Sequence, residues 1–360
     1  MLGRVRVIMI SEVSDAAEMV SFSAKTSSDQ DELKKLWKHP LRLFRLANIL
    51  REKSCGDAVS FVINRNINFT NECIGTCRFC SFKHSRIYSL TAEQILQRAG
   101  EAEQLGATEI CLQGGLSPRM HLEDYCQILE LIHRDFPRMH LHAYSPMEVL
   151  HMSQNSRIEV SESLRELKRS GLGSMPGTAA EILVDSVRQK ICPDKLTTDK
   201  WRQIITAAHT LAIPTTSTML FGHIESLDDR LSHLQILKEI QSETGGFTEM
   251  VLLPFIASNN ALGKVAKGAD LLDRLKMHAL ARVALYPNIT NIQASWTKLG
   301  RGAAAAALDW GANDLGGTLM DEAIARNCKE DPSISAEELV ELIEGRGKRA
   351  FQRTTLYERA

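Results

Sequence analysis

Strand-like and helix-like segments alternate along most of the chain, and this alternation constrains the fold more than any other feature. Residues 59–69 are rich in β-branched and aromatic side chains, which predicts a first strand. A capping box formed by Thr91 and Gln94 predicts the start of the helix that follows. Such pairs recur, with a short strand at residues 173–175, up to a last short strand near residues 312–315. Alternation of this kind indicates parallel strands covered by helices. About eight pairs predict an α/β fold, a (β/α)8 barrel of the TIM type.

The barrel is predicted to span residues 59–322, between flanking segments of different character. Residues 1–30 are rich in serine and weakly periodic, which predicts a loosely ordered N-terminal extension. Residues 31–58 have the apolar spacing of N-terminal leading helices. Residues 323–360 contain a Ser-x-x-Glu capping box and predict a C-terminal helical extension that packs against the outside of the barrel.

Composition narrows the class of partner. The chain has 360 residues, a formal net charge of -1 and 6% aromatic residues. It therefore offers neither the basic stripe nor the stacking surface that nucleic-acid binding requires, and small molecules are the expected ligands. We find no apolar stretch long enough to span a bilayer and no signal peptide, so we expect a cytoplasmic protein without membrane partners.

Three cysteines share one loop directly after the first predicted strand. Cys73, Cys77 and Cys80 have the spacing C-x3-C-x2-C. Three thiolates on a short loop can hold three corners of a [4Fe-4S] cluster and leave the fourth iron open to a small chelating molecule. The other cysteines are scattered, as is typical of a reducing cytosol, and we expect them to be apolar fillers. They are Cys55, Cys111, Cys126, Cys192 and Cys328.

The same loop allows other interpretations. A zinc site would need a fourth ligand, and His84 follows Cys80 too closely for the usual long loop between ligand pairs. A redox pair formed by Cys77 and Cys80 would leave Cys73 without a role. Two non-catalytic classes also stay open: an electron carrier, which would usually supply a fourth cysteine, and a structural zinc module that recruits a partner.

The loop, with Phe79 just before its last cysteine, resembles the signature of the radical S-adenosylmethionine (SAM) superfamily. The resemblance implies that Cys73, Cys77 and Cys80 hold a [4Fe-4S] cluster and that SAM chelates the fourth iron. It also implies that the backbone of Phe79 touches the adenine of SAM. Taken without the resemblance, Phe79 is equally a core residue.

Two further motifs have a place in the same resemblance. Gly114 and Gly115 end the second predicted strand and resemble the glycine motif beside the amino group of SAM; alone, they predict a simple turn. Glu225 follows the fifth predicted strand and resembles the motif near the adenine, although Thr218 replaces the usual glycine. Alone, Glu225 predicts a carboxylate at a helix N-terminus.

Three residues are candidates for acid-base or substrate-binding roles. His142 and His223 lie at predicted strand ends, where they could reach a substrate, although a single histidine is more often structural. Asp314, at the end of the eighth strand, could hold the ammonium group of an amino acid or could cap the next turn.

Within the superfamily the chain resembles the branch that makes FO, the deazaflavin of coenzyme F420. The segments that carry this resemblance are 64–73, 171–183, 221–223, 252–256, 292–300 and 311–320. It implies a 5′-deoxyadenosyl radical, cleavage of L-tyrosine between Cα and Cβ, and transfer of its 4-hydroxybenzyl group to 5-amino-6-(D-ribitylamino)uracil. It also implies a companion radical SAM subunit that closes the ring, and an electron donor such as flavodoxin or ferredoxin. The same framework resembles two menaquinone-pathway enzymes, cyclic dehypoxanthine futalosine synthase and aminofutalosine synthase, which remain the alternative.

Overall fold

The computed structural model describes residues 29–81, 86–318 and 333–360. Most of the predicted N-terminal extension, His84 and Cys328 lie outside these residues, as does the end of the resembling segment 311–320. The domain boundaries drawn from the sequence stay a prediction.

Two helices lead into the barrel where the apolar spacing predicts them: α1 (Gln30–Lys38) and α2 (Pro40–Cys55). Asp29 caps α1, because its Oδ1 accepts hydrogen bonds from the first backbone N–H groups of the helix. Pro40 begins α2, where a missing N–H costs no helical hydrogen bond. The apolar face of α2 is buried in the main core.

Helices and strands alternate from β1 onward, as predicted. The strands are β1 (Ala58–Val62), β2 (Asn64–Asn68), β3 (Glu109–Gln113), β4 (His140–Ala143), β5 (Thr215–Phe221), β6 (Phe247–Pro254), β7 (Ile292–Ala294), β8 (Asp314–Gly317) and β9 (Arg349–Gln352). The helices are α3 (Ala92–Gln104), α4 (Leu122–Asp135), α5 (Pro146–Ser156), α6 (Val160–Arg169), α7 (Asp185–Ile191), α8 (Thr198–Thr210), α9 (Leu227–Thr244), α10 (Leu271–Leu285), α11 (Trp296–Leu299), α12 (Arg301–Ala307) and α13 (Ala336–Glu344).

The strands form two parallel sheets in the circular order of a barrel. One sheet has the order β5-β6-β7-β8-β1-β9 and the other β2-β3-β4. β1 and β2 follow each other with one residue between them, and isolated parallel bridges join His142 to Ser174 and Met175 to Thr215. The predicted strand at residues 173–175 is therefore reduced to bridges. Pro176 follows it and has no N–H to extend a ladder.

The C-terminal segment contains a strand that the sequence does not predict. The capping box at Ser335 and Glu338 opens α13 as expected, but the chain then returns to the sheet as β9. This strand pairs in parallel with Ala58–Phe61, on the edge of β1 opposite β8. Residues 353–360 are thereby brought against the starts of the barrel strands. No helix in the described part of the chain is long and apolar enough to cross a membrane.

Candidate active site

A cavity of about 440 Å³ lies inside the barrel. We call its end at the carboxyl ends of the strands the mouth; it is lined by Cys73, Cys77, Cys80, Phe79, Gly114, Gly115, Glu148, Glu181 and Lys195. We call the opposite end, where β3 begins and β9 ends, the floor; it is lined by Glu109, His142, Glu249, Arg353 and Thr355. Both ends therefore carry carboxylates, and the three cysteines lie at the mouth alone.

The cysteine loop is fixed at the mouth by backbone hydrogen bonds to three other segments. Ile74 N–H donates to the carbonyl of Leu116 at 3.1 Å, and Arg78 N–H donates to that of Ile191 at 2.8 Å. The carbonyl of Arg78 accepts from Leu262 N–H at 2.8 Å. The three cysteines are half-buried free thiols. The loop thus presents three thiols from an anchored backbone.

The residues present fit a cluster held by this loop. A Cβ at Gly75 would lie 3.3 Å from the Sγ of Cys73 and 4.0 Å from that of Cys77, so glycine keeps the space beside both sulfurs free. Burial raises the pKa of Cys77 to about 11. Such a buried thiol becomes a thiolate when a cation binds it, and iron is a suitable cation.

Gly114 and Gly115 permit a close approach that other residues would block. A Cβ at Gly115 would lie 2.2 Å from the carbonyl oxygen of Glu72, which precedes the first cysteine, and one at Gly114 would lie 2.4 Å from the ring of Phe69. Both glycines are therefore required by packing of β3 against the cysteine loop, whatever else they bind. Gly114 N–H donates to Glu148 Oε1 at 2.9 Å. Glu148 is buried, and burial raises its pKa.

Lys195 and Glu181 form an ion pair at the mouth that the sequence analysis missed. The Lys195 Nζ lies 2.5 Å from the Glu181 Oε1 and 5.4 Å from the centroid of the Phe79 ring. Burial opposes the charge on Lys195, but Glu181 and the nearby thiols of Cys77 and Cys192 raise its pKa. Glu181 has a φ of 46°, a left-handed backbone that costs a non-glycine residue energy and is often found at functional sites. The pair comes from residues 14 apart in sequence, and no local pattern marks it.

The structure places the other predicted site residues in different surroundings. Phe79 lines the mouth beside Lys195. His142 lines the floor, where its Nδ1 lies 2.7 Å from the Ser174 hydroxyl. Burial lowers the pKa of His142 to about 4, so the imidazole is neutral near pH 7. Its role as an acid or base stays a prediction.

His223 and Glu225 lie in the loop after β5, beyond Leu220, the last residue of that strand to line the cavity. Glu225 accepts hydrogen bonds from the N–H groups of Gly222 and His223 at 2.5 and 2.8 Å and pairs with Arg230. Burial opposes the charge of Glu225, but His223 and Arg230 hold its pKa at about 2. The turn thus uses both side chains internally, and their predicted roles remain untested.

Asp314 is fully buried behind Arg353 at the floor. Its Oδ2 accepts hydrogen bonds from Arg353 Nε at 2.6 Å and from the Ser60 hydroxyl at 2.5 Å. Its Oδ1 accepts from Gly316 N–H at 2.6 Å, which is the turn-capping contact considered in the sequence analysis. Binding of a substrate ammonium by Asp314 stays a prediction, since the carboxylate already has these donors.

Comparison with known proteins identifies the family. The model of the radical SAM superfamily matches residues 67–237, and that of the CofH/MqnC C-terminal region matches residues 244–360. The 5-amino-6-(D-ribitylamino)uracil--L-tyrosine 4-hydroxyphenyl transferase of Archaeoglobus fulgidus is 51% identical over 89% of this chain and 94% of its own. Its counterpart in Methanopyrus kandleri is 48% identical over 89% of each chain.

Solved structures show the same fold at low sequence identity. The FeFe-hydrogenase maturase HydG of Carboxydothermus hydrogenoformans has a TM-score of 0.72 at 16% identity, over 96% of this chain and 86% of its own. Methylornithine synthase (PylB) has a TM-score of 0.69 at 15% identity, over 93% of this chain and 94% of its own. Taken with the relatives of about half-identical sequence, these matches mean that the chain is a radical SAM enzyme and belongs to the family of the 5-amino-6-(D-ribitylamino)uracil--L-tyrosine 4-hydroxyphenyl transferases.

Proposed function

We propose that this enzyme cleaves L-tyrosine between Cα and Cβ and transfers the 4-hydroxybenzyl group to C5 of 5-amino-6-(D-ribitylamino)uracil, a step in FO synthesis. The observation that carries the proposal is sequence identity: about half of the residues are identical to those of transferases of this name, over about nine-tenths of both chains. The cavity inside the barrel, with three thiols at one end and polar groups at the other, supports it.

The mouth is where we propose that the cofactors bind. Cys73, Cys77 and Cys80 would hold a [4Fe-4S] cluster, with SAM beside Gly114, Gly115 and Phe79. Lys195 and Lys298 both line the cavity, and Lys195 is paired with Glu181. When bound, the cluster and SAM supply the one-electron chemistry that starts a radical reaction.

The protein's own contribution is placement of the substrates. The cavity wall is mixed: Val62, Leu220, Val251 and Leu253 are apolar, and polar side chains such as Thr218 lie among them. The fixed strands would hold two substrates close together. His142, neutral near pH 7, is available at the floor to donate or accept one hydrogen bond.

Further partners follow from the same proposal. Ring closure would need a companion radical SAM subunit, and cluster reduction would need a donor such as flavodoxin or ferredoxin. We also keep the division into leading helices, a barrel of residues 59–322 and a C-terminal extension as a proposal, with the correction that the extension adds β9 to the sheet.

The test is an anaerobic assay of the reconstituted enzyme with SAM, a strong reductant, tyrosine and the ribitylaminouracil. Mass spectrometry should detect both 5′-deoxyadenosine and the hydroxybenzyl adduct. Deoxyadenosine without the adduct would indicate that the enzyme uses a substrate of the futalosine pathway instead. If a protein with a fully loaded cluster forms neither product, the proposal is contradicted.

A further inference from the structure

The floor is built around one buried guanidinium. Arg353 follows β9, and its N–H donates to the carbonyl of Phe61 at 2.8 Å, which fixes its position beside β1. Its side chain forms a two-point contact with Asp314, at 2.6 and 3.3 Å. Both side chains are almost fully buried. Asp314 therefore takes two of the five N–H donors of Arg353, and the carbonyl of Thr354 takes a third.

Glu249 is a second carboxylate beside the same guanidinium. Its Oε2 lies 3.5 Å from Arg353 Nη2, longer than a normal hydrogen bond, and accepts a hydrogen bond from the Tyr357 hydroxyl at 2.5 Å. The guanidinium carbon lies 4.1 Å from the centroid of the Tyr357 ring, so the C-terminal tail holds both groups. Glu249 is 6% exposed and lines the cavity.

Glu109 is a third carboxylate at this end. It is 5% exposed and lines the cavity, and its Oε1 accepts a hydrogen bond from Asn64 Nδ2 at 2.8 Å. The nearby His142 is neutral near pH 7 and adds no positive charge. Three carboxylates thus surround one guanidinium, so the floor has a surplus of negative charge and of hydrogen-bond acceptors.

The pKa shifts of the floor's two cavity-lining carboxylates differ. Burial opposes the charge of Glu109, but Arg353 and a hydrogen bond from Asn64 lower its pKa. Burial raises the pKa of Glu249 to about 7, Arg353 opposes the rise, and the charges of Asp314 and Glu109 add to it. A ligand that brings hydrogen-bond donors without a negative charge would satisfy Glu249 and Glu109. The zwitterion of an amino acid would bring its own carboxylate beside Glu249, Glu109 and Asp314, where one guanidinium already faces three carboxylates.

We propose that the floor is the binding site for the uncharged, donor-rich co-substrate, whose amino and hydroxyl groups bind Glu249 and Glu109, and that tyrosine binds closer to the mouth. This inference rests on the proposed function, because it takes 5-amino-6-(D-ribitylamino)uracil as that co-substrate. Tyr357 is a positioning residue, since its hydroxyl holds the Glu249 carboxylate. The C-terminal tail is thereby part of the substrate site.

The test is equilibrium binding by calorimetry to the reconstituted enzyme with SAM and without reductant, so that no turnover occurs. We expect Glu249→Gln to weaken ribitylaminouracil binding about tenfold to a hundredfold, because a charge-assisted hydrogen bond is lost. Tyrosine affinity should change by less than about twofold, within the usual variation of a distant contact. Equal weakening for both ligands, weakening for tyrosine alone, or no change would overturn the inference.

Tyr357→Phe is the second variant, and it keeps the inference testable if Glu249→Gln does not fold. It retains the Glu249 carboxylate and removes one hydrogen bond, so we expect a loss of about threefold to tenfold for the ribitylaminouracil alone. An unchanged affinity would count against the orienting role of the tail. If the wild-type enzyme itself fails to bind the ribitylaminouracil, the proposed function fails too. If wild type forms the adduct and both variants bind normally, only the floor assignment fails.

Discussion

The mouth and the floor of one cavity are encoded in different ways. Cys73, Cys77 and Cys80 come from eight consecutive residues, and their spacing alone indicates their chemistry. At the floor, Glu109 and Arg353 are brought together from strands separated by more than half of the chain. A cluster-binding loop can therefore be recognised locally, whereas a substrate-binding constellation exists only after the barrel has formed.

The two ends also differ in how charge is balanced. At the mouth, Lys195 pairs with Glu181 at 2.5 Å, and the buried Glu148 accepts a hydrogen bond from Gly114 N–H. At the floor, Arg353 serves several carboxylates, and Glu249 is held mainly by a neutral phenol. The floor therefore has more carboxylates than cations, which leaves hydrogen-bond acceptors for a ligand. The comparison predicts that mutations at the two ends impair different steps.

The largest effect should come from the mouth. We expect Cys73→Ala to lose the cluster and all SAM cleavage while keeping the fold, because the side chain lies on a loop outside the main core. Iron content, the absorbance of the cluster and deoxyadenosine formation would measure this. Cys126→Ala is the matched control, since Cys126 is a half-buried thiol on α4, away from the loop. SAM cleavage by Cys73→Ala under reducing conditions would refute the cluster assignment.

Removal of the floor's cation, Arg353, should lower the free energy of unfolding and should affect cluster binding less. Arg353→Ala leaves Asp314 and Glu249 buried without their cation, and we expect it to lower the free energy of unfolding by about 3–5 kcal/mol. Chemical denaturation would measure the loss. Arg353→Lys, which keeps the charge but not the planar two-point geometry, should recover part of it. If Arg353→Ala unfolds at the same denaturant concentration as wild type, the network contributes little to the free energy of unfolding.

A packing change at the mouth should have an intermediate effect. Gly115→Ala places a methyl group against the Glu72 carbonyl, so the cysteine loop must shift. We expect a loss of stability of about 1–3 kcal/mol and reduced iron content after reconstitution. Gly302→Ala is the matched control, because its methyl would meet no atom within 4 Å and α12 should become slightly more stable. Equal behaviour of the two variants would contradict the close-approach argument.

The smallest effect is the pH dependence of the floor. Glu249 faces Arg353 and Tyr357 of the tail, Asp314 of β8 and Glu109 of β3, and its pKa is raised from 4.5 to about 7. Such a group favours the folded state below pH 4.5, and this contribution is lost as the pH rises to 7. The glutamine of the Glu249→Gln variant cannot ionise, so the variant does not lose this contribution as the pH rises. The melting temperature of the variant minus that of wild type should therefore be larger at pH 8 than at pH 5. A difference that is constant with pH would mean that Glu249 does not titrate in this range.

The sequence predicted the alternation of strands and helices better than the pairing of the strands around the barrel. Strand and helix patterns and the capping boxes at Thr91 and Ser335 recur in the structure because they are local. The predicted strand at residues 173–175 became two bridges, since Pro176 ends its ladder. β9 could not be predicted, because four residues without an alternating pattern become a strand only when β1 offers a free edge.

The candidate site divides in the same way. Cys73, Cys77, Cys80, Phe79, Gly114 and Gly115 were found from the sequence and line one mouth. Glu181, Lys195, Glu249 and Arg353 were missed, because charged residues are common and only burial inside the barrel distinguishes these four. The predicted place of Asp314 at the end of the eighth strand is wrong, because β8 begins at Asp314. Its side chain therefore lies in the floor network, where it binds Arg353.

The most direct test of this account is the ratio of hydroxybenzyl adduct to 5′-deoxyadenosine formed by Glu249→Gln at a ribitylaminouracil concentration well below saturation. If the mouth starts the radical reaction and the floor holds the co-substrate, radicals form without an acceptor, and the ratio should fall about tenfold or more below that of wild type. An unchanged ratio would contradict the division of the cavity into these two ends.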